Sequence, residues 1–141
     1  AAFELRQFIQ RKDEHDLVRL FEDDLRGYEE ARIGEILRRS EPYIPSYATL
    51  GEMVINTGRA VFLYEKDVDG IVDISPFTCM NGIVCEAVYP KLSRDHDDIP
   101  IKVFYFDGKA RDWSQDVEMF MELVSDYRTR KHTQRSGKVL R

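Results

Sequence analysis

The chain has 141 residues, of which 43% are hydrophobic and 33% charged, a composition typical of one globular domain with a real core. No apolar run approaches the ~20 residues needed to cross a bilayer, and the start lacks a signal-peptide pattern, so we expect a cytoplasmic protein that does not bind membranes. Two cysteines are too few for a disulfide framework. Residue 1 is not Met and the helical pattern begins at once, so we expect a fragment of a larger protein.

The net charge of −5 is unevenly distributed. Residues 1–127 hold all 26 acidic side chains and 15 of the 21 basic ones, a balance of −11, whereas residues 128–141 hold six Lys or Arg and no acid. A basic tail can bind nucleic acid or anionic lipid, but this one has no aromatic residue for stacking. We therefore expect a flexible, solvated terminus and no nucleic-acid partner.

Helical spacing of apolar residues predicts a helical segment over residues 1–47, which Pro42 and Pro45 bring to an end. Thr49 is the expected N-cap of the next helix, with Glu52 placed to complete a capping box. Residues 48–127 are the expected core, and 1–127 together form one α/β domain.

The second half of the chain changes to a β-loop-α-β-loop-α pattern. Ile71–Ser75 is short and β-branched like a buried parallel strand, a helix follows from about Asn81 or Gly82, and Ile101–Phe106 is a second strand. A strand-helix-strand unit of this length predicts two parallel strands with a right-handed crossover. The expected fold is therefore α/β, a small parallel sheet flanked by helices, and a sheet of two strands calls for a partner domain or pairing between chains, including a homo-oligomer.

Ligands of open α/β sheets bind beyond the carboxyl ends of the strands. The loop from Ser75 to Gly82 occupies that position after the first strand, and its candidate ligand-binding residues are Pro76, Phe77, Thr78, Cys79 and Met80. The loop that begins with Asp107-Gly108 occupies it after the second strand, and adjacent parallel strands bring the two loops together.

Cys79 lies close to a helix start, where exposed amides and the helix dipole favour a thiolate. Such a thiolate could be a nucleophile, a redox thiol or an iron–sulfur ligand, whereas the alternative is a small side chain packed at the strand end.

Cys85 lies on an apolar stretch of the helix and is expected to pack in the core. Asp107 either presents a carboxylate to a ligand or forms a plain Asp-Gly turn with Gly108.

The segment Asp69–Met80, DGIVDISPFTCM, resembles the 2-hydroxyacyl-CoA dehydratase and CoA-substrate-specific enzyme activase-related family, which carries a PFtCMPG-like motif after a strand. The later pairs Ile99-Pro100 and Asp107-Gly108 match the second part of the family pattern, so the resemblance covers about residues 41–125. It implies a flavodoxin-like or Rossmann-like C-terminal domain of a larger protein that also contains an ATPase domain.

Dehydratase relatives hold a [4Fe-4S] cluster through cysteines from separate segments, and an ATP-dependent activase supplies the electron. The resemblance therefore implies that Cys79 is one cluster ligand in the full-length protein, beside Asp107 and Gly108. The isolated chain is expected to bind no metal and not to be a complete enzyme. Its implied partners are the rest of the same polypeptide and an acyl-CoA dehydratase. A second function from another class stays open: a scaffold or ligand-binding domain in which Cys79 is structural.

Overall fold

A computed structural model describes residues 2–20, 32–47, 49 and 51–139 of the chain. The contacts divide the chain into two units, residues 1–30 and residues 31–141. The elements in chain order are α1 (Ala2–Arg19), α2 (Ile33–Ser40), α3 (Met53–Glu65), β1 (Ile71–Pro76), α4 (Met80–Asp95), β2 (Ile101–Phe106) and α5 (Ser114–Val139).

The first unit contains α1, which runs without a break through the polar stretch 11–16. The second unit is mixed α/β, which confirms the expected class. Among the described residues its sheet has two strands, β1 and β2, paired in parallel with Ile71 opposite Ile101 and Pro76 opposite Phe106. No helix in the described part of the chain is long and apolar enough to span a membrane.

The two faces of the sheet are covered differently. On one face, α4 packs against alternate residues of both strands, and the Tyr105 hydroxyl donates a hydrogen bond to Glu86 at 2.8 Å. Because successive strand residues point to opposite faces, Phe104 lies on the other face, where its ring contacts Trp113 edge-on at 5.2 Å. The main core lies between the sheet, α3 and α4, and its buried members are Ile44, Met53, Val54, Ala60, Val61, Ile71, Cys85, Tyr89, Leu92, Ile99 and Tyr127.

The helix after Thr49 begins differently from the prediction. The Thr49 hydroxyl donates to the Pro45 carbonyl at 2.9 Å, and α3 starts four residues later with Glu52 as an N-cap that makes no side-chain bond. The capping-box prediction at Thr49 is therefore wrong, because the hydroxyl satisfies the preceding turn and not the helix.

Residues 128–139, expected as a flexible tail, continue α5 as far as Val139. Lys131 links this half of the helix to the turn before β1: its Nζ lies 3.0 Å from Asp67 Oδ1 and 2.5 Å from Asp69 Oδ1. The same ammonium donates to the carbonyl oxygens of Asp67 and Val68 at 2.9 and 3.3 Å. Four oxygens from one turn therefore surround a single cation carried by α5.

Candidate functional site

The carboxyl ends of β1 and β2 lie side by side, as expected for adjacent parallel strands. The ladder continues one residue beyond the strands, since the Phe77 amide donates to the Phe106 carbonyl at 2.9 Å. The loop from Phe77 to Cys79 and the loop that begins at Asp107 therefore start from one shared hydrogen bond, and the structure brings the two predicted loops together.

Between β1 and α4 the chain turns sharply. Thr78 adopts a left-handed conformation with φ of 69°, and the Cys79 amide donates back to the Pro76 carbonyl at 3.1 Å. Cys79 then serves as the N-cap of α4, and its carbonyl accepts the first helical bond from Ile83 at 3.2 Å. Met80 opens the helix, and its side chain, like that of Phe77, is exposed.

The surroundings of the Cys79 sulphur favour its charged form. The nearby backbone N–H groups of Gly82 and Asn81 lower the pKa of the Cys79 thiol, although its sulphur makes no cap hydrogen bond of ordinary geometry. Burial opposes them with a smaller effect, and the Ser75 and Asn81 side chains lower the pKa by still smaller amounts. This is the physical effect expected of a thiol at a helix N-terminus, where unpaired amides point outward. The group is partly exposed, so it can meet a ligand from solvent.

Cys85 differs from Cys79 in every one of these respects. Its side chain is 0% exposed, and burial raises the pKa of its thiol. Its sulphur donates to the Met53 carbonyl at 3.6 Å and lies 4.0 Å from the Thr57 hydroxyl. Cys85 is a core residue, as its apolar position in the helix predicted.

Asp107 and Gly108 form a turn at the exposed rim of the site. Asp107 Oδ1 accepts a hydrogen bond from the Lys109 amide at 3.0 Å, and Gly108 has a φ of 79°, which glycine adopts without strain. One carboxylate oxygen is thus used within the turn.

Three residues of the predicted loop, Ser75, Asn81 and Gly82, were assigned no role from the sequence. Ser75 is 5% exposed and lies below the loop, where its hydroxyl reaches the Pro76 carbonyl at 3.5 Å, the outer limit of a hydrogen bond. Asn81 Oδ1 is buried and unpartnered among the described residues. A glycine and an asparagine in the first turn of a helix were the available sequence signals, since neither favours a helix interior.

Below the loop, a carboxylate lies between β1 and α4. Asp73 Oδ2 accepts a hydrogen bond from the hydroxyl of Tyr89, a core residue, at 2.5 Å. Burial, followed by this bond, raises the pKa of Tyr89 far above its ordinary value, so the phenol stays protonated and remains a donor. The pair fixes how α4 lies on the strand that carries the site.

Within the part of the chain that the structure describes, no three His, Cys, Asp or Glu side chains form a group able to hold a metal ion. The site offers one thiol with a lowered pKa, one carboxylate at the rim and the backbone N–H groups at the start of α4. Comparisons with protein-family models, curated proteins and solved structures found no match for the chain.

Proposed function

We propose that this chain is a domain of a cytoplasmic acyl-CoA dehydratase activase-related protein, and that it contributes one lobe and one cysteine to an iron–sulfur electron-transfer site linked to dehydration of CoA thioesters. The supporting observation is Cys79 itself: a partly exposed thiol at the N-cap of α4 whose pKa is lowered by the amides of Gly82 and Asn81. A thiolate is the form that ligates iron.

The residues present fit one ligand of a cluster and no more. A [4Fe-4S] cluster takes about four thiolates, and Cys85 is ruled out as a second because its sulphur is enclosed between Met53 and Thr57. The remaining ligands would come from other segments of the full-length polypeptide or from a second copy. When bound, the cluster would supply one-electron transfer at low potential.

In this proposal the chain's own residues position and stabilise the sulphur. The Asn81 and Gly82 amides stabilise its charged form, with a smaller contribution from Ser75. The loop of Asp107 and Gly108 begins beside it, next to the hydrogen bond between Phe77 and Phe106. We propose that the two-stranded sheet belongs to a larger flavodoxin-like or Rossmann-like sheet. The proposed partners are an ATPase domain in the same polypeptide and an acyl-CoA dehydratase.

The test is anaerobic iron–sulfur reconstitution of the full-length protein, comparing wild type with Cys79→Ser. We expect loss of the brown colour and of bound iron in this variant. Cys85→Ala is the matched control, because it removes the chain's other thiol from a position that no cluster can reach, and it should keep its iron. Unchanged iron content in Cys79→Ser would overturn the proposal.

The second candidate is a scaffold or ligand-binding domain in which the same loops hold a partner and Cys79 is structural. The exposure of Phe77 and Met80 beside Cys79 favours it, because apolar side chains at a loop mouth suit a protein contact. This candidate predicts that Cys79→Ser reduces stability or partner binding and leaves iron content unchanged.

A further inference from the structure

A cleft lies on the far side of the sheet from the Cys79 loop, between the start of β2 and the first half of α5. Its volume is about 140 Å³, and its lining is largely apolar: Pro100, Ile101, Met119, Phe120 and Leu123, together with the charged residues Lys102 and Asp116. A space of this size accepts one large apolar side chain. A pocket for a single anchor side chain is the form that binding hot spots commonly take.

Two of the lining side chains protrude into solvent. Met119 is 61% exposed and Leu123 59%, and they lie four residues apart on one flank of α5. Residues four apart are neighbours on a helix surface, so the two side chains extend the cleft into a short apolar stripe along the helix axis.

A ridge of acidic side chains borders this stripe. Glu118, Glu122 and Asp126 follow each other at four-residue intervals on the solvent side of α5, and all three are exposed. The fourth acid of this half, Asp116, is paired with Arg111 at 2.9 Å, whereas the other three make no ion pair or hydrogen bond within the part of the chain described. From Ser114 to Tyr127 the helix contains no Lys or Arg. The ridge is therefore a line of unpaired negative charge about 12 Å long that runs along the cleft, with Arg130 one helical turn beyond its end.

We propose that this cleft is a docking site for a cationic amphipathic helix of a partner protein, with one large apolar side chain anchored between β2 and α5 and Lys or Arg side chains along the acidic ridge. A helix suits the ridge because bases four residues apart repeat at the same interval as Glu118, Glu122 and Asp126. Charge complementarity of this kind fixes the register of a partner and speeds its association.

Two other occupants fit the chemistry less well. The distal half of α5 in a second copy is basic, but its exposed residues from Arg128 to Thr133 are Arg, Thr and His, which offer no apolar anchor for the cleft. An anionic membrane surface would be repelled by the ridge.

The test measures binding of a fluorescently labelled Leu/Lys peptide of about 15 residues, with leucines on one face and lysines at four-residue intervals beside them. We expect saturable binding to the full chain that weakens as salt rises. A twin peptide with Glu in place of Lys should not bind.

Variants locate the contact. Leu123→Lys should weaken binding at least about tenfold, because it puts a charge on the apolar stripe. The triple change Glu118→Gln, Glu122→Gln and Asp126→Asn should weaken binding and flatten its salt dependence without altering the stripe. Met121→Lys is the matched control: Met121 is 54% exposed on the opposite flank of the same helix, so this change adds the same charge away from the cleft. Circular dichroism and melting temperature check that each variant folds.

Three results would overturn the proposal. The first is no binding of the lysine peptide up to about 1 mM, the weak limit of specific recognition. The second is an equal loss in Met121→Lys and Leu123→Lys, which would indicate a diffuse charge effect. The third is wild-type self-association that Leu123→Lys abolishes, which would assign the cleft to a second copy of the chain.

Discussion

Gly82 of α4 lies so close to Ser75 of β1 that a Cβ at position 82 would stand 2.2 Å from the Ser75 hydroxyl oxygen and 2.7 Å from its Cβ. The backbone of the first turn of α4 therefore packs directly against the Ser75 side chain at the end of β1.

Gly82→Ala is expected to destabilise the protein by about 1–3 kcal/mol, because the strand and helix must move apart to accept the methyl group. The free energy of unfolding from urea denaturation measures the effect. Gly34→Ala in α2 is the control, since nothing lies within 4 Å of a Cβ there; it should stabilise by up to about 1 kcal/mol. Equal stability of Gly82→Ala and wild type would contradict the close approach.

The two thiols should react at very different rates in the native protein. We expect iodoacetamide to modify Cys79 alone, and to do so at a pH below the ordinary thiol range, because neighbouring amides lower its pKa while burial raises that of Cys85. Mass spectrometry of the native chain should find one added group, and that of the denatured chain two. Modification of Cys85 in the native protein at a comparable rate would show that the core opens.

Tyr89→Phe should cost about 1–3 kcal/mol of stability, because it leaves the Asp73 carboxylate without the hydroxyl that it accepts from. Tyr105→Phe is the control: it removes a comparable bond to Glu86 in an exposed setting, where water replaces the hydroxyl. A loss equal to that of Tyr105→Phe would mean that Asp73 reaches water.

The dependence of the free energy of unfolding on pH in the alkaline range should also depend on Tyr89. Its pKa is raised in the folded state, so the folded protein holds the proton more tightly than the unfolded chain does. This contribution is complete below the ordinary tyrosine value near 10 and decreases as the pH rises above it. Burial likewise raises the pKa of Tyr43 and of Tyr105, each to about 12. We expect the free energy of unfolding to fall above about pH 10, and to fall less steeply in Tyr89→Phe.

Lys131→Met should loosen the junction between α5 and the turn before β1. It keeps the aliphatic stem but removes the cation that Asp67 and Asp69 share, and we expect a loss on the order of 1–3 kcal/mol. Lys109→Met, at an exposed position, is the control and should change stability little. Faster amide hydrogen exchange in residues 128–139 of Lys131→Met, with unchanged exchange in α4, would locate the effect.

Local patterns predicted those parts of the fold that depend on neighbours in sequence. The β-branched run from Ile71 and the aromatic run to Phe106 stand out in composition, and the four-residue spacing of apolar residues identified α4 and α5. The prediction of Thr49 as an N-cap was wrong because a hydroxyl near a helix start can either accept from a helix amide or donate to an earlier carbonyl. Which of the two it does depends on the folded backbone. The extent of α5 was missed because Lys131 is held by a turn more than sixty residues away.

The candidate site divides in the same manner. Cys79 could be singled out because a cysteine between a strand and a helix occupies a known kind of position. Ser75 and Gly82 could not, since their roles depend on a contact between elements that the sequence separates by a turn. Asp73 and Tyr89 are sixteen residues apart, and their bond arises only when α4 folds back over β1.

The hydrogen bond from the Phe77 amide to the Phe106 carbonyl has a mechanical consequence. It ties the roots of both loops together beyond the last paired strand residues, so neither loop can swing away without breaking a rung of the sheet. A ligand that binds at Asp107 and displaces its loop would therefore also displace the backbone at Phe77, two residues before Cys79. The starts of the two loops should therefore move together.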